Sequence, residues 1–107
     1  MEKIEIIYSS SVEFYLKDLV KILFDQEYFG FEETAQQYVQ NIYDAIELKL
    51  AQPIYKISPP ELQKQGKFYI AYSPNKRTTW YIFFNQRANR YLIKFITNNH
   101  VPNAQFL

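Results

Sequence analysis

An α+β domain is predicted, with the helices and most of the strands in separate halves of the chain. Three observations predict it. A short alternating run opens the sequence (3–8), two stretches with apolar residues at three- and four-residue spacing follow (12–23 and 35–50), and three β-rich runs separated by turn-forming residues close it (67–73, 78–85 and 90–97). The expected order is β-α-α-β-β-β: an antiparallel sheet with an N-terminal helical hairpin packed on one face. At 107 residues the chain suits a single domain and can bury one hydrophobic core.

Each element has its own signal. Ile4, Ile6 and Tyr8 alternate with Lys3, Glu5 and Ile7, as a strand requires. Ser9, Ser10 and Ser11 offer N-cap oxygens, and Ser10 with Glu13 has capping-box spacing. Val12, Leu16, Leu19, Val20 and Leu23 then form one helical stripe, and Gly30 is a natural stop. Glu32 and Glu33 suit the positive end of a second helix, whose stripe is Ala35, Tyr38, Val39, Ile42, Ile46 and Leu50. From Gln52 to Gly66, Pro53, Pro59 and Pro60 predict an irregular crossover without further elements. Beyond it the period drops to two. Phe68, Ile70, Tyr72, Trp80, Ile82, Phe84, Tyr91, Ile93 and Phe95 are expected to face the helices, and Lys67, Tyr69, Ala71, Tyr81, Phe83, Arg90, Lys94 and Asn98 the other side.

Composition excludes several functions. There are no cysteines, which removes disulfides and thiolate metal sites and suits a reducing cytoplasm. His100 is the only histidine, so a zinc site would have to be carboxylate-rich, an uncommon set, and no metal is expected. The first residues have no signal-peptide pattern, and no apolar run approaches the roughly 20 residues a membrane-spanning helix needs. Neither a phosphate-cradling glycine loop nor a nucleophile elbow is present, and no cofactor is expected.

Charge is distributed unevenly. Residues 1–52 hold four lysines against ten acids, net −6, whereas residues 53–107 hold eight lysines or arginines against Glu61 alone, net +7. The basic half suits an anionic partner; attraction between the halves is the alternative. Lys76 and Arg77 occupy one expected turn, and Arg87 and Arg90 flank the next. Cations beside Tyr69 and Tyr81 could bind RNA, since lysine and arginine neutralise phosphates and flat rings stack on unpaired bases, though cross-strand aromatic pairs also occur for stability alone. His100 follows Asn98 and Asn99 at the end of the last strand, where an imidazole of near-neutral pKa can exchange a proton with an RNA oxygen.

The chain resembles the RelE/ParE superfamily of toxins from bacterial toxin–antitoxin pairs. The likeness spans nearly the whole length. It rests on the element order, on Pro59-Pro60-Glu61-Leu62 ahead of Lys67-Phe68-Tyr69, on 77–84 (RTTWYIFF) and on 91–100 (YLIKFITNNH). The resemblance implies a cytoplasmic, ribosome-associated, metal-independent mRNA endoribonuclease held in check by an antitoxin protein. It implies His100 as general acid or base, Arg77 and Lys94 as stabilisers of developing negative charge, and Lys67 as a phosphate or proton-transfer residue. Lys76, Arg87, Arg90, Tyr69, Tyr81, Asn98 and Asn99 would bind RNA. Thr78 and Thr79 stand where ribosome-dependent members usually have an arginine inside the strand, and the total charge is only +1. Two alternatives therefore remain open: a ParE-like, non-enzymatic inhibitor of DNA gyrase, and a homologue that keeps the fold as a binding module.

Overall fold

The computed structural model describes residues 3–25, 32–52, 55–100 and 107. Strand β1 (Glu5–Tyr8) leads into helices α1 (Ser10–Asp25) and α2 (Glu32–Ala51). A two-residue strand, β2 (Lys56–Ile57), and a 3-10 turn (Pro60–Leu62) then precede β3 (Phe68–Tyr72), β4 (Trp80–Arg87) and β5 (Arg90–Asn98). The fold is α+β, with the strands in one sheet of order β1-β5-β4-β3-β2.

Both expected stripes form the core. Val12, Leu16 and Leu19 of α1 and Val39, Ile42, Ile46 and Leu50 of α2 pack against Ile70, Trp80, Ile82, Phe84, Tyr91 and Ile93 of the sheet. Burial of each large apolar side chain contributes about 1.5–3 kcal/mol, so the two stripes supply most of what holds the helices to the sheet. The expected stop at Gly30 and the side chains of Glu32 and Glu33 lie outside the described residues.

The start of α1 differs from expectation by one residue. Ser9, rather than Ser10, is the cap: its Oγ accepts from the Val12 N–H at 3.3 Å, and its carbonyl accepts from the Glu13 N–H at 3.0 Å. Val12 therefore holds the third helical position and cannot return the bond, so the Ser10–Glu13 capping box reduces to a serine cap.

The sheet is mixed, which corrects the all-antiparallel expectation. β2, β3, β4 and β5 are antiparallel neighbours, but β1 runs parallel to β5, with Glu5 beside Arg90 and Tyr8 beside Ile93. β3 and β5 share a direction because one reversal separates each from β4, and β1 adds to the outer edge of β5 in that same sense. The crossover also contains an unexpected element. Lys56 and Ile57 pair with Tyr69 and Phe68, and two residues are too few for any periodic signal.

A bulge in β5 changes which residues face the helices. Phe84 pairs with Ile93, but Phe83 pairs with Phe95, leaving Lys94 as the extra residue. From there on the faces exchange. Ile96 enters the helix-side core, and Phe95, expected there, joins a second cluster with Leu62, Tyr69, Phe83 and Tyr81 on the opposite face. That face is covered at its centre. Phe83 is fully buried, and Gly66 lies so close to β4 that a Cβ would sit 2.7 Å from the Phe84 nitrogen and 2.9 Å from the Phe83 Cβ.

Two substitutions test the backbone with opposite signs. The β4–β5 turn has only two residues, and Ala88 there adopts φ 56°, a left-handed conformation that costs an L-residue about 1–2 kcal/mol. Ala88→Gly is expected to stabilise the fold by about 1 kcal/mol in a urea titration. Gly66→Ala has no room for its methyl and should destabilise by about 1–3 kcal/mol in the same assay.

Candidate functional site

The end of the sheet where β4 starts and β5 finishes is built by side chains that tie the backbone. Trp80 and Asn98 form the last rung of the ladder. Asn99 then extends it. Its N–H donates to the Thr79 carbonyl at 3.1 Å, its Oδ1 accepts from the Thr79 N–H at 2.9 Å, and its Nδ2 donates to the Arg77 carbonyl at 3.0 Å. Asn98 Oδ1 accepts from the His100 N–H at 2.9 Å, turning the chain back on itself. The imidazole is thereby placed with Nε2 3.2 Å from Thr78 Oγ1.

The facing loop is tied in the same way. Asn75 Oδ1 accepts from the N–H groups of Arg77 and Thr78 at 2.8 and 2.9 Å, and Ser73 Oγ lies 2.8 Å from Thr79 Oγ1. Segment 73–79 therefore holds Lys76 and Arg77 exposed beside the exposed His100. Asn98 and Asn99, expected as RNA contacts, are the residues that set this turn.

Beside the imidazole is a cleft of about 430 Å³ between the sheet end and the helices. Trp80, Tyr15 and Tyr38 line it with the apolar residues Leu19, Ile22 and Leu23, and Asn75, Thr78, Asn98 and His100 supply its polar groups. Trp80 Nε1 donates to Tyr38 Oη at 2.9 Å, and the Tyr15 ring meets Trp80 edge to face with centroids 6.3 Å apart. Burial, and after it the neighbouring Tyr38, raises the pKa of the Tyr15 hydroxyl, which keeps it a neutral donor. Sequence reasoning missed this cleft. Its signal was Tyr15, a large ring immediately beside the apolar stripe of α1.

The other expected site residues are elsewhere. Lys67 precedes β3, and its N–H donates to Asn85 Oδ1 at 2.9 Å, so about 17 Å of strand separates it from the Tyr72–Trp80 rung. Arg87 and Arg90 pair across the turn at that same far end, and Arg90 Nε lies 3.2 Å from Glu5 Oε2. Lys94 is the bulge residue in mid-strand, beside Ser11 and Tyr15 of α1 and about 13 Å along β5 from Asn98. Of the expected single group of His100, Arg77, Lys94 and Lys67, the structure thus brings together only His100 and Arg77, with Lys76 next to Arg77 in the loop. Strand direction separates Lys67, and a mid-strand position at the bulge separates Lys94.

The expected stacking face is also corrected. Tyr69 is buried in the second cluster, its ring 5.5 Å from Phe83 and 6.1 Å from Tyr81, so it offers no open surface to a base. Tyr81 remains half-buried at the edge of that cluster.

Among the described residues no helix is long and apolar enough to cross a membrane, and no group of three or more His, Asp or Glu side chains could hold a metal ion. Comparison with protein-family models, curated proteins and solved structures returns no match.

The Asn99 clamp has a measurable consequence. Asn99→Ala deletes two side-chain hydrogen bonds and should cost about 1–2 kcal/mol. Hydrogen exchange at the Thr79 amide should accelerate by at least about tenfold, while the amides of β1 keep their protection.

Proposed function

We propose that the chain is a toxin of the RelE/ParE kind that cuts messenger RNA without a metal, working from the sheet end that holds His100. The observation that carries this reading is the exposed imidazole, fixed 3.2 Å from Thr78 Oγ1 on a turn tied to the loop that presents Lys76 and Arg77. The sequence resemblance to these toxins and the α+β order of elements support it further. A cytoplasmic setting, ribosome-bound transcripts as substrate and an antitoxin that masks Lys76 and Arg77 belong to the same proposal.

The chemistry follows from the groups at hand. Cleavage of RNA by its own 2′-oxygen forms a bond from that oxygen to phosphorus and breaks the bond from phosphorus to the 5′-oxygen. The 2′-hydroxyl proton must leave and the departing 5′-oxygen must gain one. His100 can serve at one of these positions, as neutral base or as imidazolium acid, with solvent water exchanging the proton at the other, and Thr78 steadies the ring through its hydroxyl. Arg77 and Lys76 stabilise the charge that builds on the non-bridging oxygens. Lys67 has no part in this site.

A second reading is favoured by one observation. Lys67, Arg87 and Arg90 are gathered at the opposite sheet end, so a large part of the basic charge is away from the imidazole. Such a distribution suits a protein that binds without catalysis, as a gyrase inhibitor or binding module would.

Induction of the chain in a bacterium, with mapping of transcript ends, separates the two. His100→Ala and Arg77→Ala should each lower mRNA cutting by at least about 100-fold and relieve growth arrest, with folding intact. Lys67→Ala should change cutting less than about threefold, and the purified chain, treated with a chelator that is then removed, should cut ribosome-bound transcripts as well as the untreated chain. Undiminished cutting by His100→Ala would overturn the nuclease reading. Growth arrest with intact transcripts and inhibited gyrase would establish the second.

A further inference from the structure

We infer that the cleft between His100 and α1 is a nucleobase pocket, which seats the base of a nucleotide whose phosphate lies against Lys76 and Arg77. The choice of nucleic acid as ligand rests on the ribonuclease reading. The pocket itself rests on its lining.

Its volume of about 430 Å³ falls in the range of small-ligand sites, roughly 300–1,000 Å³. Aromatic side chains dominate one part. Trp80 is buried, while Tyr15 is about two-fifths exposed and can lay its ring along a flat heterocycle. Ile22, 40% exposed, continues this surface toward solvent.

The polar groups argue against a purely apolar occupant. Among the described residues the Nδ2 groups of Asn75 and Asn98 donate to nothing, because only their Oδ1 atoms are engaged in holding the backbone. An aliphatic or phenyl group in the cleft would desolvate these donors without replacing their bonds to water. A nucleobase presents ring nitrogens and carbonyls on its edge, at the periphery of a stackable plane, and so answers both kinds of lining. Charge agrees with this. Lys76 and Arg77 stand on the loop that supplies Asn75 and Thr78, and among the described residues neither has an ion-pair partner. Base and phosphate would thus be held by adjoining parts of a single loop. The same arrangement replaces the stacking expected of Tyr69, whose ring is closed off in the second cluster.

The test uses the full chain and short RNA that cannot be cut: a 2′-O-methyl trinucleotide with its bases and one with all three bases replaced by abasic sugars. The trinucleotide with bases should bind at least about tenfold more tightly and shift the NMR signals of the Trp80 indole N–H and the Asn75 and Asn98 side-chain amides. Tyr15→Ala should abolish the difference while leaving affinity for the abasic strand within about twofold. Should Tyr15→Ala fail to fold, Ile22→Phe fills the mouth from an exposed position and should have the same effect. Equal binding of the two strands, no binding of either, or base-dependent binding that leaves Trp80 unshifted would overturn the pocket. Because the probe cannot be cleaved, the outcomes are separable. Base-dependent binding by a chain that does not cut ordinary RNA keeps the pocket and removes the enzyme, whereas cutting without base dependence does the reverse.

Discussion

The extra residue at Lys94 is the constraint on which the rest of the sheet depends. Below it Phe84 is opposite Ile93, and above it Phe83 is opposite Phe95, so every later pairing of β5 is displaced by one. Were Lys94 instead paired with Phe83, Trp80 would be opposite Thr97, and Asn98 would fall beside Thr79. With it, Asn98 completes the Trp80 rung and Asn99 clamps Thr79 and the Arg77 carbonyl. The position of His100 against Thr78 is therefore decided some six residues upstream. The same displacement puts Ile96 in the helix-side core and Phe95 in the opposite cluster, and strand alternation makes these two outcomes inseparable.

That opposite cluster limits where a ligand can reach the sheet. Leu62, Tyr69, Phe83 and Phe95 are packed together, and the backbone at Gly66 is pressed onto β4 above Phe83. The crossover is thus a lid for a second small core rather than a passive connection. Its prolines suit this use, since segment 58–67 follows an edge strand of two residues, where few ladder hydrogen bonds are lost. With the middle of that face filled, polar chemistry is left to the ends of the strands.

Much of this was legible in the sequence. The stripes of α1 and α2 were correct residue by residue, because helical periodicity is a local property expressed many times over. The cap was misplaced by one, since three consecutive serines offer the same oxygen and only backbone conformation selects Ser9. The bulge was not legible, because Lys94 interrupts alternation no more visibly than any polar residue in a strand. The parallel pairing of β1 was likewise hidden, being a relation between distant segments. The separation of Lys67 from Arg77 could have been foreseen. Each residue immediately precedes a strand, the two strands are consecutive in a meander, and their starts must lie at opposite ends. By the same reasoning His100, which follows β5, had to come to the end from which β4 departs.

Sorting the cations to two ends makes those ends electrostatically unequal. At the far end Arg90 has Glu5 beside it, supplied by β1 through its parallel pairing with β5. Among the described residues neither Lys76 nor Arg77 near His100 has such a partner: β1 ends opposite Ile93, and the loop 73–79 carries the two cations without a carboxylate. The two ends are separated by more than the roughly 8 Å over which exposed charges act at physiological salt, so one cannot neutralise the other. A mobile anion near this molecule therefore meets, at the end where the imidazole and the cleft are, two cations that no described carboxylate pairs, and at the other end Lys67 and Arg87 beside the Arg90–Glu5 pair. The whole-chain charge of +1 conceals that inequality, because a sum over residues discards their positions.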